Sequence, residues 1–277
     1  MEYTERPEGY RPRIVDETIE RYLKIFGAVE VSGTMWCGKT WSSLAHANSV
    51  TYVDRGTNLQ LSTADPAYPL AGDAPHVVDE WQRVPAIWDA VRHEVDKGSG
   101  KGRWLLTGSS AHALGEVSHS GSGRIGRVRM HPMTLAESDV SNGKVSLRGL
   151  FNEEFEPVQA PDVSVRTLAE EITRGGWPEA AGMTPDDCGI LLGSYLSNAF
   201  EVNVPRLGGD SVLARRTALS VARNLGQSAK QATYAADVFA LGPEDKPTDH
   251  QLRQVAGQLS VLAALYLLDE VPGWVPA

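Results

Sequence analysis

Residues 33–40 read GTMWCGKT and satisfy every fixed position of the pattern G-x-x-x-x-G-K-[ST]. The pattern carries a mechanism. Glycines at 33 and 38 let the backbone curl so that successive N–H groups converge on an anion. Lys39 can then reach the β- and γ-phosphates of a nucleoside triphosphate, and the Thr40 hydroxyl can bind Mg²⁺. The flanks agree. Ala28–Ser32 reads as a short strand, and Trp41–Ala47 can open a helix whose N-terminal dipole adds to the phosphate site. Without those flanks the stretch would be a glycine-rich turn that carries Lys-Thr. With them, Gly33, Thr34, Met35, Trp36, Cys37, Gly38, Lys39, Thr40 and Trp41 form the expected nucleotide cradle.

A cradle does not by itself cleave what it holds. Hydrolysis needs one carboxylate for the metal and a second to position water. Val77-Val78-Asp79-Glu80 offers both, with Asp79 opposite Thr40 at the metal and Glu80 on the water. An exposed acidic pair at a strand end is the plainer reading of that tetrapeptide alone. Its place, one strand beyond the phosphate loop and ahead of a helix, favours the functional one. Thr107 ends the strand Arg103–Thr107 and could hydrogen-bond the γ-phosphate or the water; Thr-Gly-Ser-Ser is also ordinary turn chemistry. Charge on the departing phosphate calls for an arginine from the same chain or a neighbouring copy, which leaves a homo-oligomer among the expected partners. Arg124, after Gly123, is the candidate; Arg127 is expected on a strand.

Working outward, Asp16 reads as the cap of a helix carrying Ile19, Leu23 and Phe26 and stopped by Gly27. Further strands are expected at 49–54, 76–79 and 127–130, and Pro85 opens a helix with Ile87, Trp88, Val91 and Val95 on one face. Arg55 to Pro75 reads as an irregular polar stretch. Strands alternating with helices imply parallel crossovers and an α/β sheet. At Glu153–Asp162 the composition turns acidic and proline-containing, which separates a nucleotide-binding domain at 1–155 from a second domain at 163–277. The second domain reads as helices at 165–174, 187–200, 213–224, 229–239 and 248–264, then a short strand at 265–271. Three helices closed by a strand fit a winged helix-turn-helix as well as a plain bundle.

Composition narrows the classes. The 277 residues are 42% hydrophobic and 22% charged, ordinary for a globular protein and enough for two domains. A net charge of −9 argues against a chain-wide basic surface for nucleic acid. Cys37 and Cys188 make neither a disulfide framework nor a metal-spacing pattern, which fits a reducing, cytoplasmic setting. Cys37 reads as a small loop residue, with a redox-sensitive thiol as the sharper alternative. No apolar run approaches the about 20 residues that span a bilayer, and no signal-peptide core opens the chain, so no membrane role is expected.

The stretches GTMWCGKT (33–40), VVDEWQRVP (77–85), LLTGSS (105–110), GRIGRVRMHPMTLAES (123–138) and RGGWPEA (174–180) together resemble a prokaryotic family of AAA-like phosphate-loop ATPases. Its members join an AAA-like N-terminal domain to a poorly characterised C-terminal one. The resemblance implies a parallel sheet in the order 5-1-4-3-2, with ATP and Mg²⁺ at Lys39, Thr40, Asp79 and Glu80, and a finger at Arg124. Such loops usually carry Pro-Arg-Gln-type residues where this one has Thr34-Met35-Trp36. Members are usually longer, so a truncated or short form is expected. Two functions from different classes follow. One is an Mg²⁺-dependent ATPase that couples hydrolysis to domain movement. The other is a nucleotide-gated module with little turnover that contacts DNA or a protein through its helical part. Asp249, His250 and Arg253 give the expected recognition helix no basic stripe, which weakens the DNA form.

Overall fold

The computed structural model describes residues 2–3, 7–98, 100–109, 120–154, 156–159 and 163–271. Its contacts fall into two units. The first holds the described residues up to Leu191, Ser109 excepted, and the second those from Leu192 on.

The first unit is built on β1 (Glu2–Tyr3), β2 (Ala28–Gly33), β3 (Ser49–Tyr52), β4 (His76–Asp79), β5 (Trp104–Gly108) and β6 (Ile125–Met130). They form one sheet in the order β1-β3-β4-β5-β2-β6. β1 runs antiparallel against β3. The other five are all parallel and, numbered among themselves, give the expected order 5-1-4-3-2. Every residue of β2, β4 and β5 is buried, as strands covered on both faces must be. Alternation along β2 sends Val29 and Val31 to a cluster with Ile19, Val50, Val77, Leu105 and Val128. Tyr22 and Leu23 of α1 (Asp16–Ile25) pack on that cluster. α4 (Ala86–Asp96) buries Ile87, Trp88 and Val91, the face its spacing predicts.

Several local readings change. Val15, not Asp16, occupies the cap position of α1; Asp16 instead accepts from the Arg13 N–H at 2.8 Å and the Tyr10 hydroxyl at 2.6 Å. The stretch 55–75 contains α3 (Asn58–Ala64), whose polar sequence hides it. The helix after the phosphate loop is α2 (Lys39–Leu44), starting two residues early. A short α5 (Leu147–Phe151) precedes α6 (Val165–Arg174). Ser110 of the expected turn, residues 160–162 of the expected linker and the end at 272–277 lie outside the described residues. α6 and the Pro178 turn belong to the first unit, because Trp177 packs on the Val29–Val31 cluster and the Met133 N–H donates to the Gly176 carbonyl at 2.6 Å.

α7 (Pro185–Asn198) is followed by a π-turn and the short α8 (Val204–Arg206). The second unit then runs through α9 (Ser211–Arg223), α10 (Gln231–Val238) and α11 (Asp249–Ala264). Asp210 caps α9, and Thr248 with Gln251 forms a full capping box on α11. The expected strand at 265–271 is absent. Tyr266 is left-handed at φ 58, its N–H donates to Ala263 and the Leu267 N–H to Leu262. That is a Schellman ending of α11, and Leu267 packs on the Leu262 cluster. The apolar run is spent on closing a helix, so the strand part of the winged-helix reading falls away and the helical part stands.

Candidate functional site

The parallel strands end on one edge, and three of those ends make the site. β5 lies between β4 and β2, so Thr107 stands between the Asp79 end and the phosphate loop. Gly33 ends β2 beside Met130; a Cβ on Gly33 would lie 2.2 Å from the Met130 carbonyl oxygen. Only glycine permits that approach. Gly38 is left-handed at φ 101 and turns the loop into α2.

Inside the loop, the Lys39 ammonium donates to the Thr34 carbonyl at 2.8 Å. Burial pushes its pKa down, while Glu80 and Asp79 pull it up. The Thr40 hydroxyl donates to Asp79 Oδ1 at 2.7 Å, and the Thr107 hydroxyl donates to the same oxygen at 2.5 Å. Thr107 Oγ1 also accepts the Glu80 N–H at 3.2 Å. Glu80 sits in the left-handed region at φ 60, ψ 39, directly after the strand. Burial and then the Asp79 charge raise its carboxyl pKa, against Lys39 and the Gln82 amide, which donates to Glu80 Oε2.

The structure therefore gathers Gly33, Thr34, Gly38, Lys39, Thr40, Asp79, Glu80 and Thr107. Thr107 contacts the two carboxylate residues, a different use of its hydroxyl from the expected one toward phosphate. Cys37 points away from the cradle. Its thiol is fully buried in the Val29–Val31 cluster, and burial raises its pKa, which leaves no basis for the redox alternative. Met35 is half-buried, while Trp36 and Trp41 flank the loop with 40% and 49% exposure.

Arg124 is not brought to this edge within the chain. The strand begins at Ile125, earlier than expected, and Ile125 pairs with Ala28 whereas Met130 pairs with Gly33. Arg124 therefore lies at the opposite edge of the sheet, roughly 16 Å away at the usual rise per residue. There its Nε donates to Asp96 at 2.8 Å. Arg127 does lie on the strand, as expected. Gln82 and Arg13, which bonds the Cys37 carbonyl at 2.8 Å, were not singled out by the sequence. Gln82 lies within the quoted stretch VVDEWQRVP but had no role assigned there, and a lone arginine at position 13 in a polar stretch says nothing until the chain folds.

Residues 26–138 match the model of a family described as AAA domain. Over this stretch the chain is similar to AAA-type domains. Among solved structures, a Walker-type ATPase of Pyrococcus abyssi is 13% identical over 94% of this chain and 92% of its own, with a TM-score of 0.50. AMPPCP-bound DnaA from Aquifex aeolicus is 12% identical over 88% of this chain and 86% of its own, with a TM-score of 0.37. The first of these shows a shared fold. No curated protein matches the chain. Among the described residues no helix is long and apolar enough to cross a membrane. The AAA domain makes this an ATP-binding, ATPase-like chain.

Proposed function

We propose that the chain is an Mg²⁺-dependent ATPase that couples hydrolysis to movement of its helical region. The observation that carries the reading is Asp79 Oδ1, which holds the Thr40 hydroxyl at 2.7 Å while the adjacent Glu80 keeps a second carboxyl at the same strand end. Thr40 and Asp79 place two hard oxygen donors side by side, and no cluster of three or more His, Cys, Asp or Glu competes among the described residues. That donor set fits Mg²⁺, which binds through one or two protein oxygens together with phosphates and water. When bound, the ion would neutralise charge on the β- and γ-phosphates.

The chain's own residues supply the rest. Lys39 exchanges its bond to Thr34 for the β- and γ-oxygens. Glu80, with its pKa raised, accepts a hydrogen bond from the attacking water and takes its proton as general base. Thr107 holds Asp79 and the Glu80 backbone in register. An arginine, if one completes the site from position 124, does so from a neighbouring copy.

ATP affinity and turnover, with Mg²⁺ and with chelator, in wild type, Lys39→Ala and Glu80→Gln test the proposal. Lys39→Ala is expected to lose binding. Glu80→Gln is expected to bind ATP and turn over far more slowly. Equal affinity in Lys39→Ala would refute the nucleotide site; unchanged turnover in Glu80→Gln would refute the catalytic assignment and favour a nucleotide-gated module.

A further inference from the structure

A phosphate loop works only if its amides face inward, and a backbone does not choose that by itself. Each peptide plane is trans, so its C=O and the next N–H point in opposite directions. Whatever holds a loop carbonyl outward therefore aims the following N–H inward. Behind this loop one side chain does so. Arg13 Nη1 donates to the Cys37 carbonyl at 2.8 Å. The same guanidinium donates through Nη2 to the His131 carbonyl at 2.8 Å and through Nε to Glu137 Oε1 at 3.0 Å.

The cation is built in. Arg13 and Glu137 are 5% and 7% exposed at their side chains. Glu137 is fixed in turn by the Ile14 N–H at 2.6 Å on one oxygen and the Thr134 N–H at 2.7 Å on the other. Burial alone would raise the Glu137 pKa. Those two N–H groups and Arg13 outweigh it and hold the carboxyl below its ordinary value, so the pair is charged near neutral pH. A planar fork that meets two carbonyls and a carboxylate has one orientation; an ammonium could not meet all three. Three parts of the chain thus converge on the Arg13 guanidinium: the segment before α1 that carries it, the loop at the Cys37 carbonyl, and the 131–137 segment after β6.

We infer that Arg13 is a positioning residue for phosphate binding, held by Glu137, and that it acts through the Cys37–Gly38 peptide by turning the Gly38 N–H toward the nucleotide. The inference rests on the ATP-binding reading above. It separates from a merely structural role because it predicts an effect on the folded protein. Arg13→Lys keeps the charge and loses the fork. Measured on the full chain at a temperature where both proteins are folded by circular dichroism, the variant binds ATP at least about tenfold more weakly, the scale of one charge-assisted hydrogen bond. Its kcat at saturating ATP stays within about threefold, since Glu80, Asp79 and Thr107 are untouched; that bound is well under the tenfold of one such bond. In Arg13→Ala, millimolar ethylguanidinium restores part of the lost affinity, whereas ethylammonium at the same concentration does not. Unchanged ATP affinity in folded Arg13→Lys, with a wild type that binds, would overturn the inference alone. A kcat loss equal to the affinity loss would overturn it too, because the residue would then act on the reacting groups. A wild type that does not bind ATP would overturn both this inference and the reading beneath it.

Discussion

Asp79 Oδ1 accepts hydrogen bonds from two threonine hydroxyls at once, Thr40 at 2.7 Å and Thr107 at 2.5 Å. Each hydroxyl has one proton, so both are committed to that oxygen. Thr107 then uses a lone pair for the Glu80 N–H at 3.2 Å. One fully buried side chain, 1% exposed, thereby ties the Asp79 carboxylate to the Glu80 backbone. Thr107→Val keeps the shape and removes every polar link. It leaves a buried carboxylate oxygen short of a donor and a backbone N–H short of an acceptor, at about 1–3 kcal/mol. Turnover should fall about tenfold or more, the scale of one mispositioned hydrogen-bonded group, while ATP affinity changes little. Steady-state ATPase kinetics beside urea unfolding check this. A kcat equal to wild type would show that Thr107 does not align the pair.

Gly33 is fixed by crowding from the neighbouring strand. A methyl group there would sit 2.2 Å from the Met130 carbonyl oxygen, a backbone atom that cannot swing aside. Gly33→Ala must therefore part β2 from β6 at the point where the phosphate loop starts. The expected loss is about 1–3 kcal/mol of stability, as for other overpacked positions. Weaker ATP binding should accompany it, because the loop's first amide moves with the strand. Calorimetric ATP titration together with denaturant unfolding reads both; wild-type values in both would mean the two strands yield freely.

The residues that meet at the strand ends were legible wherever the expected chemistry asks for a fixed residue type. GTMWCGKT and VVDE pick out Lys39, Thr40, Asp79 and Glu80, which the fold does bring to neighbouring strand ends, because the proposed phosphate, metal and water roles would each demand a particular group there. The parallel sheet followed from alternating strand and helix patterns. The rest depended on contacts that spacing does not encode. Arg13 and Glu137 are 124 positions apart and meet only in the fold. Arg124 looked like a free loop cation, but it precedes the start of a strand parallel to β2, and that end of β6 lies at the sheet edge opposite the phosphate loop. Leu265–Val271 has the composition of a strand. Its role is decided by Tyr266 turning left-handed and Leu267 finding Leu262, a tertiary matter.

Glu30 gives a prediction in pH. It sits on β2 three residues before the loop, 2% exposed, on the face opposite Val29 and Val31. Arg127 holds its Nε 3.7 Å from Glu30 Oε2. Burial raises the Glu30 pKa from 4.5 to about 7, with Arg127 and the Trp81 indole pulling the other way. A carboxyl whose folded pKa lies above its unfolded value binds more protons in the folded state between the two. Its contribution is therefore most favourable below about pH 4.5, declines as pH rises, and is fully lost above about pH 7. The shift corresponds to at most about 3 kcal/mol at 1.36 kcal/mol per unit. Glu30→Gln removes the charge without changing shape. Urea unfolding of both proteins at pH 5, 6, 7 and 8 should show the variant gaining on wild type as pH rises, with the gap levelling off near pH 8. Taking the difference cancels the other titrating groups. A gap that stays constant across that range would mean that Glu30 is ionised in the folded protein throughout.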